Sequence, residues 1–157
     1  MSDLTGKENI EFRVIKEDWN QYEFKNDIII RGRTFITRIQ QDTISTTNSD
    51  KPNYKMQFQN HFVVFAPNRE CGTPTLPLPN PQQITKDMMQ EIEPITNSEP
   101  WNAYEIIKNG TIVKVKLVVN EFIRVMDKFD QFGQPFFIIN SGQAVNIKVN
   151  TSVEKFA

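Results

Sequence analysis

The stretch Trp19-Asn20-Gln21-Tyr22-Glu23 recurs as Trp101-Asn102-Ala103-Tyr104-Glu105, and this recurrence decides the fold prediction. The chain contains two tryptophans, and each begins one copy of the W-N-x-Y-E pattern. After one inserted residue, Ile29-Ile30-Arg31 aligns with Ile112-Val113-Lys114. Self-similarity at a fixed offset indicates a duplicated structural unit. The alternative is a single domain that contains two similar strand starts.

The second copy predicts its strands most clearly. Asn109-Gly110 is a strong hairpin signal because both residues tolerate positive φ. The following strand alternates apolar and polar residues, and we expect a bend or bulge near Asn120. The Ser-Gly-Gln sequence at 141–143 predicts a turn. We expect strands near 20–24, 28–39, 54–58 and 62–65 in the first copy, and near 101–107, 112–125, 136–140 and 144–149 in the second.

These strands predict an all-β fold with two tandem small antiparallel β-barrel-like repeats of the SH3-like or OB-like kind. The repeats span 9–66 and 92–150, and a C-terminal tail spans 151–157. Between them, 67–91 is a Pro-rich linker, extended at first and with a possible short helical turn after Thr85. Leu76, Leu78, Met88 and Met89 in this linker are expected to pack against a repeat. Small units bury little surface, so pairing of the copies or of subunit edges is expected.

Composition limits the function classes. Hydrophobic residues make up 38% of the chain and 12 residues are Phe, which is enough for a folded core. The 18 Lys and Arg nearly balance the 19 Asp and Glu, which argues against a protein that coats nucleic acid or membranes. With one cysteine, Cys71, and one histidine, His61, we expect no internal disulfide, metal, cofactor or catalytic residue. The chain shows no signal-peptide pattern or membrane span, which predicts a cytoplasmic protein.

A duplicated basic pair is the main candidate site. Arg31 and Arg33 align with Lys114 and Lys116, and i, i+2 spacing places each pair on one strand face. Such strips can bind nucleic acid or another anion, with aromatic side chains as stacking partners. The alternative is a solvated outer face whose cations pair with Glu23 and Glu105. The candidate residues are Arg31, Arg33, Arg38, Lys114, Lys116 and Arg124.

The scarcity of chemical motifs favours a non-catalytic structural or protein-interaction module built from a duplicated small β domain. Its expected partners are another protein or further copies of itself, and a homo-oligomer fits this prediction. One alternative is a weak nucleic-acid or anion-binding module that uses the basic pairs. Another is a small-ligand binder or enzyme with a site between repeats or subunits. The tryptophans can serve as ligand platforms, although packing is the usual role of such residues.

Overall fold

A computed structural model describes residues 7–42 and 53–149 of the chain. The predicted tail at 151–157 lies outside these residues. The described chain is all-β, as predicted, and its strands pair antiparallel in two sheets. The strands are β1 (Lys7–Ile10), β2 (Phe12–Lys16), β3 (Asn20–Glu23), β4 (Ile29–Asp42), β5 (Tyr54–Phe65), β6 (Met89–Ile92), β7 (Thr96–Ser98), β8 (Asn102–Ile106), β9 (Ile112–Phe129) and β10 (Pro135–Lys148).

The two sheets have the same arrangement around one long strand. In sheet 1, β4 pairs with β5 on one side and with β1 and β3 on the other, and β7 pairs with β3. In sheet 2, β9 pairs with β10 on one side and with β6 and β8 on the other, and β2 pairs with β8. The early strand β2 therefore lies in sheet 2, and the later strand β7 lies in sheet 1.

The alternating pattern of the long strands sets their inner and outer faces. Ile30, Thr34 and Ile36 of β4 are buried, and Val113 and Val115 of β9 are buried in the same way. Side chains between these positions point to the opposite face of each strand, since strand side chains alternate. The predicted hairpin at Asn109-Gly110 is confirmed, with Gly110 at φ 73° between β8 and β9.

The predicted bulge near Asn120 is confirmed, but the predicted turn at 141–143 is wrong. Asn140 pairs with Glu121 and Ser141 with Val119, so Asn120 is the extra residue of a bulge in β9. β10 continues through 141–143 as one strand, and β5 also runs unbroken through the expected gap at 59–61. Backbone hydrogen bonds between β10 and the long strand β9 outweigh the local preference of Ser141 and Gly142 for a turn.

Two apolar clusters form the core, and each combines side chains from both sheets. Core cluster 2 includes Tyr22 and Ile30 of sheet 1 with Phe122 of sheet 2. Core cluster 1 consists of Ile10, Ile36, Ile39, Tyr54, Tyr104, Ile106, Val113 and Val115. Since both clusters lie between the sheets, the outer faces of the two sheets point away from each other.

The linker follows the prediction only in part. Leu76 and Leu78 are exposed by 72% and 47%, so the expectation that they pack is wrong for these two, whereas Met88 and Met89 are half-buried and Ile84 is buried. The short helical turn predicted after Thr85 is a 3₁₀ turn at Lys86–Met88, and β6 begins at once after it. No helix among residues 7–42 and 53–149 has the length and apolar character to cross a membrane.

Candidate functional site

Matched hydrogen bonds from two buried tyrosines join the two halves of the molecule. The Tyr22 hydroxyl donates to Glu99 Oε2 at 2.7 Å, and the Tyr104 hydroxyl donates to Glu17 Oε2 at 2.7 Å. Burial and the neighbouring carboxylate raise the pKa of both tyrosines, so both hydroxyls stay protonated at neutral pH. Their geometry assigns them a structural role, which leaves the outer faces and edges as candidate sites.

The arginine pair lies on the outer face of sheet 1, where other side chains engage it. The Arg33 guanidinium lies 4.8 Å from the Trp19 ring and 5.2 Å from the Phe35 ring, with Glu17 Oε1 at 3.8 Å. Arg31 lies 5.1 Å from the Phe65 ring, and its Nε donates to Gln21 rather than to the predicted Glu23. The aromatic contacts and hydrogen bonds of these cations lower their availability to a ligand.

The lysine pair lies on the outer face of sheet 2, so the structure does not bring the two predicted pairs together. Lys114 lies between Ala103 of β8 and Asn146 of β10, and Lys16 of β2 faces Ala103 from the other side. Glu105, the predicted partner of these lysines, instead forms an ion pair with Arg13. We call the set of Lys16, Lys114, Lys116 and Lys148 the lysine face.

The two remaining candidate cations lie away from both pairs. Arg38 is exposed next to a bulge of β4. Arg124 Nη1 donates to Glu70 Oε1 at 2.9 Å, in an ion pair whose side chains are only 16% and 19% exposed. The hydrogen bond from Arg124 lowers the pKa of the Glu70 carboxyl. Arg124 therefore fastens the linker to sheet 2.

Two cavities flank the segment between β6 and β7, and sequence reasoning identified neither. A cavity of about 520 Å³ lies between the β3–β4 turn and this segment, with Phe24, Ile28 and Arg124 in its wall. A second cavity of about 330 Å³ is lined by four glutamates, Glu91, Glu93, Glu99 and Glu121, together with Tyr22 and other residues. These walls join residues distant in sequence, so no local pattern signals them.

The remaining groups that could carry chemistry are the acidic side chains, Cys71 and His61. Among residues 7–42 and 53–149, no group of three or more His, Cys, Asp or Glu side chains has an arrangement that could hold a metal ion. The Cys71 thiol lies 3.5 Å from the Pro67 carbonyl oxygen, in the half-buried start of the linker. His61 lies on the outer face of sheet 1 with its ring 5.2 Å from Phe35.

The β10 edge of sheet 2 combines apolar exposure with a lack of charge. Every residue from Pro135 to Ile147 is uncharged, and Lys148 is the last residue of the strand. Val145 and Ile147 lie opposite the buried Val115 and Val113, yet they are exposed by 41% and 37%. Among the described residues, β9 is the one strand that pairs with β10.

The comparisons with known proteins find no family model, curated protein or solved structure that matches this chain.

Proposed function

We propose that the chain is a non-catalytic protein-interaction module that self-associates by pairing the outer edge of β10 with β10 of a second copy. The observation that carries this proposal is the uncharged edge from Pro135 to Ile147, which pairs with β9 alone in the described chain. A strand edge presents unpaired N–H and C=O groups that accept a further strand. Natural monomers protect such edges with charge, proline or short strands, and β10 is long and uncharged until Lys148.

The apolar side chains of β10 favour an occupant that covers them. Val145, Ile147 and Val149 alternate along one face and are exposed by 41%, 37% and 37%. On the β5 edge of sheet 1, Phe62 and Val64 pack against core cluster 2 instead. A strand added to β10 contributes its own side chains to the same face and reduces the exposure of these residues to water.

A second copy fits this edge better than a partner of different sequence. An edge without charges carries no electrostatic pattern that selects a foreign strand, and it places no like charges opposite each other when it meets itself. Two copies related by a twofold axis pair β10 with β10 antiparallel, and twofold dimers are the commonest symmetric assemblies. Main-chain hydrogen bonds then supply affinity, as in other cases of strand addition.

We infer that the module consists of a duplicated unit, and the paired contacts support this. Asn20 Nδ2 donates to the Leu117 carbonyl at 2.8 Å, and Asn102 Nδ2 donates to the Thr34 carbonyl at 3.4 Å. The mirrored Tyr–Glu bonds and the equal strand orders of the sheets support the same inference. The finer assignment of tandem SH3-like or OB-like barrels stays a prediction.

Sedimentation velocity over a range of protein concentrations tests the edge proposal. The wild-type chain, of 18.3 kDa, is expected to reach twice this mass as concentration rises. The double variant Val145→Lys/Ile147→Lys is expected to stay monomeric, since lysines on an edge oppose strand pairing. The control is Gln57→Lys/Gln59→Lys on β5, two exposed positions of the strand at the edge of sheet 1.

The control is expected to associate like the wild type. A wild-type chain that remains monomeric throughout the range contradicts the proposal. Loss of association in the β5 variant but not in the β10 variant also contradicts it, because the interface would then lie on sheet 1. Circular dichroism of both variants verifies that the exposed substitutions preserve the strand content.

A further inference from the structure

We propose that the lysine face on the outer surface of sheet 2 binds single-stranded nucleic acid. This surface is the broad face of sheet 2, and it is separate from the β10 edge that is proposed for self-association. The register of the paired strands brings together lysines that are remote in sequence. Lys114 and Lys116 come from β9, Lys16 from β2 and Lys148 from β10.

Geometry places these lysines at short and regular separations. Lys114 and Lys116 are two residues apart on one strand, which corresponds to about 7 Å. Lys148 pairs with Ile112 and is therefore a diagonal neighbour of Lys114. Lys16 lies across Ala103 from Lys114, a separation of two strands or about 10 Å. Four ammonium groups at this density form a strip that follows a phosphate backbone.

The charge balance of this face differs from that of the whole chain. Arg13 also lies here, in its ion pair with Glu105, and Lys16 has Asp18 at 3.5 Å. Both pairs include exposed side chains, so they hold their cations weakly. In the described chain, Lys114, Lys116 and Lys148 have no carboxylate within ion-pair distance. The chain as a whole carries a formal charge of −1, whereas the four lysines with Arg13, Glu105 and Asp18 sum to a formal charge of +3.

Trp101 supplies the feature that favours a nucleic acid over a simple anion. Trp101 is 40% exposed, and the Lys116 ammonium lies over its ring at 5.9 Å from the centroid. Ala103 and Ala144 flank the lysines on the neighbouring strands, and such short side chains leave the sheet open to a flat ligand. An exposed indole beside cations stacks with an unpaired base while the cations contact its phosphates. Duplexes hide their base faces, so the ligand is single-stranded.

Sheet 1 provides an internal contrast. Its corresponding tryptophan, Trp19, is 38% exposed and has the Arg33 guanidinium 4.8 Å from its ring, as Trp101 has Lys116, but Arg33 also contacts Glu17 and Phe35. Arg31 is engaged by Phe65 and Gln21. Both arginines of this pair on sheet 1 are therefore engaged by other side chains, whereas on sheet 2 Lys116 contacts Trp101 and, in the described chain, Lys114 and Lys148 have no aromatic or ion-pair contact.

Fluorescence anisotropy of labelled dT20 and U20 tests this proposal, with the full chain titrated at about 50 and 200 mM salt. Contact of three or four lysines with phosphates predicts a dissociation constant that rises about 20- to 50-fold between the two salts. Lys114→Gln is expected to weaken binding and to reduce the slope of log K against log salt by about 0.7. The matched control Arg31→Gln on sheet 1 is expected to leave both quantities unchanged. The two probes distinguish DNA from RNA as the preferred strand.

The stacking component has its own variant and control. Trp101→Ala is expected to weaken dT20 binding at least about fivefold, and Trp19→Ala is expected to leave it unchanged. Absence of an anisotropy change at about 50 mM salt overturns the proposal. Equal losses in the sheet 1 and sheet 2 variants also overturn it. Competition by inorganic polyphosphate as strong as by dT20, with no effect of Trp101→Ala, replaces the nucleic acid with a plain polyanion.

Discussion

Sheets 1 and 2 share one framework and differ at their surfaces. In both, a long central strand carries a bulge, and a buried tyrosine donates to a glutamate at 2.7 Å. Their outer faces differ, since Arg33 of sheet 1 contacts Trp19, Phe35 and Glu17, while its counterpart in sheet 2, Lys116, contacts Trp101 and has no carboxylate partner in the described chain. The contacts that both sheets share therefore maintain the fold. Interaction sites are then expected where the sheets differ.

Truncation of the buried tyrosines gives the largest expected effect. Tyr22 and Tyr104 are 1% and 0% exposed, and each makes one of the matched bonds. Tyr22→Ala and Tyr104→Ala are each expected to lower the free energy of unfolding by about 3–5 kcal/mol, the usual loss for a large buried aromatic. Urea denaturation measures both, with the exposed Gln59→Ala as control. A large loss of stability for one tyrosine variant and a negligible loss for the other would contradict the idea that the two tyrosines have equivalent roles.

The linker contacts sheet 2 through the half-buried ion pair of Glu70 with Arg124, and it contacts the β3–β4 turn of sheet 1 through the exposed pair of Arg69 with Asp27. Glu70→Gln is expected to lower the free energy of unfolding by about 1–2 kcal/mol at neutral pH, as a charged hydrogen bond is lost. The control Asp27→Asn removes the exposed pair with Arg69, and a change below about 0.5 kcal/mol is expected. Asn tolerates the positive φ of 62° at that position.

The pKa of Glu70 determines how the stability difference between the wild type and Glu70→Gln depends on pH. Because folding lowers that pKa, the ion pair stabilises the protein above the ordinary carboxyl range and is lost as pH falls through the folded-state pKa. The gap between wild type and Glu70→Gln should therefore be largest near neutral pH and shrink below about pH 4. Denaturation series at several pH values measure it, and a gap that grows on acidification contradicts the assignment.

The hairpin turns give the smallest expected effect. Asp27 and Gly110 both have positive φ, at 62° and 73°, in the turns that precede β4 and β9. Gly110→Ala is expected to cost about 1 kcal/mol, since a Cβ is disfavoured in this region. Asp27→Gly is expected to be neutral within about 1 kcal/mol, because strain relief opposes the greater freedom of the unfolded chain. Thermal denaturation ranks the two, and the reverse order contradicts this account of the turns.

Local chemistry explains which parts of the fold were predictable. The Asn109-Gly110 hairpin and the Asn120 bulge follow from neighbouring residues, and both predictions were confirmed. The false turn at 141–143 shows the limit, since pairing with β9 keeps Gly142 in the ladder. The placement of β2 in sheet 2 depends on long-range pairing with β8, for which the sequence carries no local signal.

The candidate site was predictable in its composition but not in its grouping. The i, i+2 spacing of Lys114 and Lys116 correctly predicted one shared strand face, as alternation requires. The addition of Lys16 and Lys148 was missed, because only the register across β2, β8, β9 and β10 brings them together. The loss of Arg124 from the set was equally unpredictable, since its partner Glu70 comes from the linker.

Hydrogen exchange of the β10 and β5 amides, at protein concentrations below and above the association midpoint, tests the edge proposal most directly. Exchange of an amide slows when a new strand supplies its acceptor. The account predicts that protection between Pro135 and Lys148 increases with concentration, whereas protection between Tyr54 and Phe65 stays constant. Protection that rises in β5 instead, or in neither strand, contradicts self-association through the β10 edge.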